Sequence, residues 1–464
     1  MNNSFVDHDA NSTMVSQPMK HTRYETPHQL MPSHTLLRKL LPFVVVWLML
    51  TASTAPLSAE NWPYWRGPTN NGISSETNLP SRWSRTESVA WRLKLPGPAG
   101  ATPVIWNNHV FLTAPEGDDL LLICVGTDGQ RLWRRKIDVG NETVEGDEAN
   151  ACSPSPVTDG QHVWTLMTTG AMACYDFSGN EIWKLNLQQR YGRYQIEFSM
   201  TSTPVLDGDR LYLQLIHGDR DPQTQEAVVA AIDKSTGAEI WRQTRATGAS
   251  GKCEHSYASP MLYDVGTTRF LISHGADYVI AHALSDGREI WRCGGLNPRQ
   301  GYSRSLRFVA SPAAAPGIIV APSAKGGRVL AIRPDSRGDI TDSRTAKLWQ
   351  LRRGAPDVPS PLIHDGLVYL CRENGNLVCL DASTGEEYYR QRTHRARHRA
   401  SPVYADGKIY LTARDGKVSV IAAGRRFKLL AQNELNEPMS SSPAVSNGTI
   451  YLRSFDTLWA IRQN

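Results

Sequence analysis

A repeated strand–turn–strand unit is the feature that most restricts what this chain can fold into. Its clearest copy runs from Val228 to Trp241 and reads VVAAIDKSTGAEIW. The apolar, β-branched start predicts a strand, the DKSTG segment predicts a turn, and the EIW ending predicts a second strand. Because Trp241 follows four residues after Gly237, its ring can fold over the small Ala231 and become buried against a neighbouring sheet.

Relatives of this unit recur about every 50 residues, and five of them are recognised by their turn glycines, at Gly129, Gly179, Gly287, Gly338 and Gly385. An aromatic residue follows each turn, although it arrives late in the Gly338 copy. An additional tryptophan occurs on an early strand that no turn unit precedes. Repeats of this length built from strands and turns predict β-propeller blades rather than separate domains. The aromatic residues predicted to dock one blade on another are Trp91, Trp133, Trp183, Trp241, Trp291, Trp349 and Tyr389.

A second signature occurs eight times: a serine or threonine, a proline, small or β-branched residues, usually a tight turn, and then another strand. Proline suits the first position of a strand, where no donor is needed, and the Asp-Gly and Asn-Gly turns that follow predict hairpins. The fold predicted for residues 89–464 is therefore all-β, an eight-bladed β-propeller of four-stranded blades. The pairs are Thr102-Pro103, Ser155-Pro156, Thr203-Pro204, Ser259-Pro260, Ser311-Pro312, Ser360-Pro361, Ser401-Pro402 and Ser442-Pro443.

The ends of the predicted ring indicate how it closes. The eighth unit ends at residues 458–461 with only three of its four strands. The early strand that contains Trp91 is expected to supply the fourth. Closure by the N-terminal strand would remove an open sheet edge, which every propeller has to protect.

Residues 1–59 are predicted to be a signal region with a polar extension. Arg38 and Lys39 precede an apolar run, Leu40 to Leu50, and small residues follow up to Ala59. This order is typical of a secretory signal, and the run is short for a membrane span. We expect cleavage after Ala59, export to the periplasm or cell envelope, and no integral membrane segment in the mature protein. The start at Met1 or Met31, and cleavage or retention of the segment as an anchor, are left open.

Residues 60–88, named the strap here, precede the predicted propeller. Their opening, NWPYWRGPTNNG, contains two tryptophans, an arginine and two prolines. We expect this rigid, amphipathic segment to cover one end of the propeller. On the expectation that the strap lies on the surface, Trp62 should contribute less to stability than Trp241.

Cysteine spacing and charge exclude several classes of site. Cys253 and Cys293 flank one blade and could form a disulfide in an exported protein. No C-x-x-C, C-x-x-C-H or H-E-x-x-H motif is present, so no metal site is predicted. The net charge of +5 is modest, and no nucleic-acid-binding motif occurs, so no nucleic acid partner is expected. The other cysteines on predicted strands are expected to be small buried apolar residues, namely Cys124, Cys174, Cys371 and Cys379.

The residues before the eight Ser/Thr-Pro pairs predict the lining of the central channel at its mouth, where the chain runs into the innermost strands. One residue before each pair all side chains are small or proline, which indicates a packed face. Residues two and four before each pair lie on the opposite side of an extended segment, and this face is polar and partly cationic. The candidate ligand-binding residues on it are Ser199, Thr201, His255, Tyr257, Arg307, Arg397 and Arg399.

Convergence of three arginines and a histidine would suit an anion, since arginine presents a fork of donors to a carboxylate or phosphate. The alternative is a water-filled channel with solvated charges. Glu145, Asp147 and Glu148, in the loop before blade two, could also form simple ion pairs with these arginines. Loops leading into the channel are long at residues 184–202 and 292–310 and short at 351–359. The predicted pocket is therefore lopsided toward His255, Tyr257 and Arg307.

The segment AIDKSTGAEIW, from Ala231 to Trp241, resembles the tryptophan-docking repeat of pyrroloquinoline-quinone (PQQ) type propellers and matches the pattern A-x-D-x-x-T-G-x-x-x-W in full. The W-P-x-W-R-G-P opening is similar to that of exported PQQ-like repeat proteins, found especially in planctomycete-type bacteria. This resemblance covers residues 89–464 and implies an eight-bladed propeller. Two branches share that fold: quinoprotein dehydrogenases, and BamB, a non-catalytic subunit of the outer-membrane β-barrel assembly machinery.

The dehydrogenase branch implies features that this sequence lacks. Those enzymes have a vicinal Cys-Cys pair over the quinone and an acidic set around Ca²⁺, and no two cysteines are adjacent here. The BamB branch implies a lipoprotein, and no cysteine precedes Cys124. We interpret the chain as an exported, non-catalytic propeller, expected to be a monomer, that binds envelope proteins or a small anionic ligand without a cofactor. The alternative is a PQQ-dependent dehydrogenase with PQQ and Ca²⁺.

Overall fold

The ring of sheets is visible in the computed structural model, which describes residues 60–142, 149–221, 223–224 and 226–463. The predicted signal region, 1–59, lies outside the described residues. Eight sheets follow one another along the chain, and in each the four main strands pair antiparallel, in chain order except that the first strand of the chain joins the last sheet. The all-β, eight-bladed propeller predicted from the repeats is thereby confirmed.

The first strand, β1, is Val89–Lys94, and four complete blades follow it. Blade one contains β2 Val104–Trp106, β3 His109–Glu116, β4 Asp119–Gly126 and β5 Arg131–Val139. Blade two contains β6 Val157–Thr158, β7 His162–Leu166, β8 Ala171–Asp176 and β9 Glu181–Asn186. Blade three contains β10 Val205–Asp207, β11 Arg210–Ile216, β12 Ala227–Asp233 and β13 Glu239–Thr244. Blade four contains β14 Met261–Val265, β15 Thr268–Gly275, β16 Tyr278–His282 and β17 Glu289–Cys293.

The second half of the ring repeats the same order, with one insertion. Blade five contains β18 Ala313–Ala315, β19 Ile318–Pro322, β20 Val329–Ile332 and, after the inserted β21 Gly338–Asp339, β22 Lys347–Leu351. Blade six contains β23 Leu362–His364, β24 Leu367–Cys371, β25 Asn376–Asp381 and β26 Glu387–Arg392. Blade seven contains β27 Val403–Ala405, β28 Lys408–Thr412, β29 Lys417–Ala422 and β30 Leu429–Glu434. Blade eight contains β31 Ala444–Ser446, β32 Thr449–Arg453 and β33 Thr457–Arg462, with β1 at its outer edge.

Closure of the ring depends on the pairing of the first strand with the last. β1 pairs antiparallel with β33, so that Trp91 lies opposite Ala460 and Leu93 lies opposite Leu458. Blade eight thus obtains its outermost strand from the start of the propeller, as the repeat count predicts. The pairing covers the edge of β33, which would otherwise present unpaired backbone groups.

Docking of one blade on the next occurs through the aromatic residues of the outermost strands. Trp241 lies directly opposite Ala231 in its own blade, and its ring covers the turn glycine Gly287 of the next blade. A Cβ atom at Gly287 would lie 2.5 Å from this ring, so only glycine fits there. The indole Nε1 also donates to the carbonyl of Leu284 in the same turn, at 3.0 Å.

The same contact recurs between five pairs of blades, and it is absent at Gly338. In each pair, a Cβ atom added to the turn glycine would meet the tryptophan ring of the preceding blade. At Gly338, by contrast, nothing lies within 4 Å of such an atom. The pairs are Trp91 on Gly129, Trp133 on Gly179, Trp183 on Gly237, Trp241 on Gly287 and Trp349 on Gly385.

Gly338 was interpreted as a turn glycine equivalent to the others, and this interpretation is wrong because Gly338 lies in an inserted strand. The connection between β20 and β22 is expanded, and its residues Gly338 and Asp339 form β21, which pairs in parallel with β17 of blade four. Blade four therefore has five strands rather than the predicted four. Trp349 still lies opposite the small residue Ala331 of its own blade, so the cross-strand pair survives the insertion.

Among the residues that the structure describes, short helices occur only in the connections between blades two and three and between blades three and four. The helix α1, Leu187–Tyr191, is capped by Asn186, whose side chain accepts hydrogen bonds from the backbone N–H groups of Gln188 and Gln189. A 3-10 helix spans Gly251–Glu254. Within the described ranges, no helix has the length and apolar character that crossing a membrane requires.

The strap crosses the propeller on the face that carries the hairpins between the first and second strands of the blades. Trp62 pairs with Ile105 of blade one, and Ile73 pairs with Tyr404 of blade seven. Trp62 is fully buried, whereas a surface strap would leave it partly exposed. The expectation that Trp62 contributes less than Trp241 is therefore withdrawn, because its ring belongs to the core between the strap and blades one, seven and eight.

The seven cysteines all have free, buried thiols. Cys253 and Cys293 do not form the disulfide that their spacing allowed. The Cys253 Sγ instead donates to the carbonyl of Ser303, at 2.9 Å. The four cysteines on strands are packed as small apolar side chains, as predicted.

Candidate functional site

A closed belt of hydroxyl groups surrounds the central channel. It consists of the serine or threonine of each Ser/Thr-Pro pair, and all eight of these residues are buried. The backbone N–H of each one donates to the side-chain oxygen of its counterpart in the next blade, as Thr102 does to Ser155 at 2.9 Å. The eight bonds measure 2.9 to 3.2 Å, and the last runs from Ser442 back to Thr102. We name these residues the hydroxyl belt: Thr102, Ser155, Thr203, Ser259, Ser311, Ser360, Ser401 and Ser442.

The belt exists because the sequence places the same two residues at the start of every innermost strand. The proline needs no donor at that position, and the preceding residue is left with a backbone N–H that its own blade does not bond. A hydroxyl from the next blade satisfies this N–H. The serine and threonine side chains therefore hold the blades together around the axis.

The residues two positions before the belt form a second ring. All eight line the same cavity of about 180 Å³ as the belt, while the residues one position before it are all buried on the other side of the chain. The alternation predicted from the sequence is therefore present in the structure at these positions. The second ring consists of Gly100, Ser153, Thr201, Tyr257, Val309, Val358, Arg399 and Ser440.

The strap closes the channel beneath the belt. Trp65 lines the cavity, and the guanidinium carbon of Arg66 lies 5.5 Å from the centre of the Trp65 ring. Arg66 is buried and donates from Nη2 to the carbonyl of Pro361 at 2.8 Å. Its burial lowers the pKa of Arg66 to about 9. The opposite end of the channel is the mouth.

Two arginines supply the charge of the cavity. Arg399 belongs to the second ring, and its side chain is only 9% exposed. Burial lowers the pKa of Arg399 to about 10, and the neighbouring Arg414 adds to the shift. Arg307 lies at the mouth, with its guanidinium carbon 4.6 Å from the centre of the Phe198 ring. Among the described residues that line the cavity there is no carboxylate.

Aromatic and hydroxyl groups complete the mouth. The rings of Phe198 and Tyr257 meet edge to face, with their centroids 6.0 Å apart. The Tyr257 hydroxyl accepts a hydrogen bond from the Phe198 backbone N–H at 3.3 Å, and burial raises the pKa of Tyr257. Thr201 donates through Oγ1 to the Tyr257 carbonyl at 3.2 Å. These contacts fix the wall that blades three and four contribute.

The structure brings four of the seven candidate residues together around the cavity: Thr201, Tyr257, Arg307 and Arg399. His255 is buried elsewhere, and its Nε2 lies 3.0 Å from the carbonyl of Gly218. Burial lowers the pKa of His255. Arg397 is largely exposed and donates to Glu373 at 2.7 Å, and Ser199 is not among the lining residues.

The three displaced residues share a physical reason. Each lies four positions before the belt and beside an interruption of the extended backbone, whereas Arg307 at the same position still lines the cavity. His255 directly follows the 3-10 helix, Ser199 has a φ of 65°, and a bend precedes Arg397. A period of two residues therefore no longer predicts which way these side chains point.

The sequence interpretation missed the lining role of the belt hydroxyls and of Trp65. The belt residues were identified as partners of prolines, not as groups facing the channel. A usable signal was present, because every one of the eight positions carries a hydroxyl although alanine or valine would also suit the start of a strand. For Trp65, which the strap brings across the ring, no local pattern gives its place.

The cavity does not fit PQQ held with Ca²⁺, the pair of groups that the dehydrogenase branch implies. Calcium takes six to eight oxygen ligands, usually including several carboxylates, and the described lining offers none. In the described part of the chain, no cluster of three or more His, Cys, Asp or Glu side chains could hold a metal ion. We therefore derive no chemical step through a quinone or metal.

Comparison with known proteins assigns the chain to a family. The family model described as outer membrane protein assembly factor BamB matches residues 81–218, 168–345 and 336–454. These matches cover most of the chain and all eight blades in part or in full. No curated protein matches the chain with significance.

Proteins of different descriptions share this fold among the solved structures. BamB from Moraxella catarrhalis is 13% identical, with a TM-score of 0.54 over 81% of this chain and 98% of that chain. A europium-containing methanol dehydrogenase is 12% identical, with a TM-score of 0.62 over 85% of this chain and 89% of that chain. A computationally designed protein is 13% identical, with a TM-score of 0.54 over 84% and 99%. At these identities the likeness concerns the fold, which does not choose between functions.

Proposed function

The chain belongs to the family described as outer membrane protein assembly factor BamB, and from this premise we propose that it is an exported, non-catalytic propeller that binds partner proteins in the cell envelope. Its binding face is the one that carries the channel mouth. Membership of this family supports an envelope location. So does the sequence of residues 1–59, in which charged residues are followed by an apolar run and then by small residues.

One observation carries this proposal: the two faces of the propeller differ in what they present. On one face, short hairpins are crossed by the strap, from Ile105 in blade one to Tyr404 in blade seven. On the other, long connections join consecutive blades at 187–204, 245–260 and 294–312. Long loops held by a rigid scaffold are where recognition residues tend to lie.

The dehydrogenase alternative has less support in the chemistry of the residues. A quinoprotein needs ligands for its metal and a group that removes a proton from the alcohol. The described channel lining has hydroxyls and arginines and no carboxylate. Groups of this kind bind and orient, whereas none of them is a base near neutral pH.

Site-specific crosslinking on the two faces tests the proposal. A photo-reactive residue would replace Ser305, which is exposed in the 294–312 connection, or Asp209, which is exposed in a hairpin on the strap face. In the native host, discrete crosslinked envelope proteins should form from position 305 and not from position 209. The same crosslinks should be lost when residues 1–59 are removed, because the protein would then stay in the cytoplasm.

Two results would contradict the proposal. Crosslinks from position 209 but not from position 305 would assign binding to the strap face. Crosslinks that survive removal of residues 1–59 would show that the partners are not in the envelope.

A further inference from the structure

We propose that a cavity beside blade four is a binding site for an organic primary ammonium group, with the carboxylate of Asp277 as its counter-ion. The cavity has a volume of about 900 Å³ and shares no lining residue with the central channel. The connections that follow blades three and four form two of its walls, and the insertion of blade five forms a third. The inference goes beyond the proposed function, and the two can fail separately.

A tight hairpin places Asp277 in the wall of this cavity. Strands β15 and β16 are joined through Ala276 and Asp277 alone, and both residues have left-handed backbone, with φ of 45° and 67°. Aspartate tolerates this conformation better than most residues do. The hairpin thereby fixes the position of Asp277, which lines the cavity although the residue is only 7% exposed.

One carboxylate oxygen of Asp277 is bonded and the other is open. Oδ2 accepts from the Tyr302 hydroxyl at 2.5 Å, and that hydroxyl accepts in turn from the backbone N–H of Ser250 at 3.1 Å. Oδ1 is buried and has no hydrogen-bond partner within the described part of the chain. Because buried polar groups are nearly always hydrogen-bonded, Asp277 lacks a donor at Oδ1.

The amide of Asn297, which also lines the cavity, does not supply that donor. Its Nδ2 donates to the Ser303 carbonyl at 2.9 Å and to Cys253 Sγ at 3.3 Å. Its Oδ1 accepts from the Ser303 backbone N–H at 3.1 Å. Both N–H groups of the amide are therefore committed to the connection in which Asn297 lies.

Arg245 is the buried cation that acts on Asp277, and its donors are directed elsewhere. Its Nε donates to Ser273 Oγ and its Nη2 donates to the Tyr278 carbonyl, each at 2.8 Å. No hydrogen bond joins Arg245 to Asp277 in the described structure. Burial raises the pKa of Asp277 to about 6, although its hydrogen bonds and the attraction of Arg245 act in the opposite direction. The charge of this carboxylate is therefore not fully compensated.

The other charged side chains of the cavity wall are of both signs and belong to half-buried or exposed residues. Two of the basic ones donate to carbonyl groups, Lys347 to that of Thr341 and Arg328 to that of Gly295 at 3.2 Å. Of the described lining residues, Asp277 is the one charged residue that is buried. A buried charge is screened less than a solvated one, so the position beside Asp277 favours a cation. The other charged lining residues are Arg299, Arg328, Asp339, Asp342 and Lys347.

A single open oxygen suits an ammonium group better than a guanidinium group. A guanidinium pairs best with both oxygens of a carboxylate, and Tyr302 already occupies Oδ2. An ammonium is a compact charge that can donate to one acceptor. Tyr278, Pro298 and Tyr302 also line the cavity, and they offer apolar surface to the carbon chain of an amine.

Ligand-observed NMR on the whole protein at pH 7.5 tests this inference with matched probes. The two amines are Nα-acetyl-lysine amide, which imitates a protein side chain, and putrescine, which is a free amine. The controls are Nα,Nε-diacetyl-lysine amide, which has no charge, and Nα-acetyl-arginine amide. At least one amine should bind, the diacetyl compound should not, and the arginine compound should bind more weakly than the better amine. The preferred amine distinguishes the two sources of the ammonium group.

Asp277→Asn should weaken binding of the amine about 10- to 100-fold, the effect of one charge-assisted hydrogen bond. This variant is expected to fold, because it removes a buried charge. Asp335→Asn is the matched control, since Asp335 is exposed in the same insertion and lies outside the cavity wall. It should change binding less than twofold.

Ser250→Phe tests the cavity without changing any charge. The Ser250 side chain makes no capping hydrogen bond to the 3-10 helix that follows it, and the residue lines the cavity. Phenylalanine there should narrow the cavity and weaken binding at least 10-fold.

The inference is overturned if neither amine binds the parent protein, or if the diacetyl compound binds as well as the amine. Binding that is unchanged in Asp277→Asn or in Ser250→Phe also overturns it, as does tighter binding of the arginine compound than of both amines. Crosslinking from position 305 does not depend on these outcomes, so the proposed protein-binding function is decided separately.

Discussion

At the scale of single residues, tryptophans hold the blades together by two contacts at once. Five docking rings lie over a small residue of their own blade and over a turn glycine of the next, as Trp241 does over Ala231 and Gly287. Trp62 attaches the strap to the propeller in a comparable way, since its ring is fully buried between the strap and the core. A Cβ atom at Gly67 would lie 2.7 Å from the Trp62 ring, so the strap folds tightly back upon it.

Truncation of either tryptophan should therefore destabilise the protein to a similar degree. We expect Trp62→Ala and Trp241→Ala each to cost about 3 to 5 kcal/mol, the usual loss for a buried aromatic side chain. Denaturant titration of the two variants and the parent measures this. A loss at Trp62 below about 1 kcal/mol would mean that the strap packs loosely.

Asp277 gives a prediction with a defined dependence on pH. Its carboxylate is buried, Tyr302 donates to Oδ2 at 2.5 Å, and Oδ1 has no partner in the described structure. Burial raises the pKa of Asp277 from 3.8 to about 6. Between these values the folded protein holds a proton that the unfolded chain has lost, so this group makes stability fall as pH rises from about 4 to 6.

Removal of that charge should stabilise the protein above pH 6. Asp277→Asn is expected to raise the free energy of unfolding at pH 7.5 by about 1 to 3 kcal/mol, and the gain should vanish near pH 4. Thermal or denaturant unfolding at both pH values checks this. Asp456→Asn, at an exposed position, is the control and should show no such difference. A gain at pH 4 equal to that at pH 7.5 would rule out the charge as its cause.

At the scale of elements, the hydroxyl belt ties each innermost strand to its neighbour. The backbone N–H of Thr203 is buried, and its partner is the Ser259 hydroxyl at 2.9 Å. The donor and the acceptor belong to two different sheets, so the bond connects neighbouring blades and is not part of the ladder of either one. The belt thus has a structural role in addition to facing the channel.

Loss of one belt hydroxyl should destabilise the protein more than the small size of the group suggests. Ser259→Ala leaves the Thr203 N–H without its acceptor, and we expect a loss of about 1 to 3 kcal/mol in the free energy of unfolding. The same change at Ser235, which is exposed in a turn, should cost less than about 0.5 kcal/mol. Equal effects at the two serines, measured by denaturant titration, would show that the belt bonds add nothing to stability.

Sequence patterns predicted the elements that depend on residues close together in the chain. Turn glycines and Ser/Thr-Pro pairs act within a few residues, so they located the blades and the closing strand β1. The period of two predicted the second ring, including Tyr257 and Arg399, because the backbone is extended there. It did not place His255 or Arg397, since a 3-10 helix and a bend interrupt that period. The burial of Trp62 depends on contacts with residues far along the chain, which no local pattern contains.

At the scale of the whole molecule, one strand and the strap complete a ring that is otherwise open. β1 covers β33, and the strap spans the hairpin face from blade one to blade seven. A ring without them would expose the edge of β33 and the apolar surface that Trp62 covers. Exposed strand edges are templates for association between chains.

Deletion of residues 60–95 should therefore open the ring. Compared with the chain that begins at Glu60, the chain that begins at Pro96 should unfold at a lower temperature and form oligomers or aggregates. Thermal unfolding combined with light scattering measures both properties. A shortened chain that stays monomeric and unfolds at the same temperature would contradict closure by β1.

The proposed role of this propeller is to bind partners rather than to catalyse oxidation, and an assay for dehydrogenase activity tests it. Purified protein is supplied with PQQ and Ca²⁺, and alcohol-dependent reduction of a dye is followed. We expect no dye reduction above the level without protein, with or without Ca²⁺, because the described channel lining has no carboxylate to hold the cation or accept a proton. Turnover that requires protein, PQQ and Ca²⁺ together would contradict it and make the chain a quinoprotein dehydrogenase.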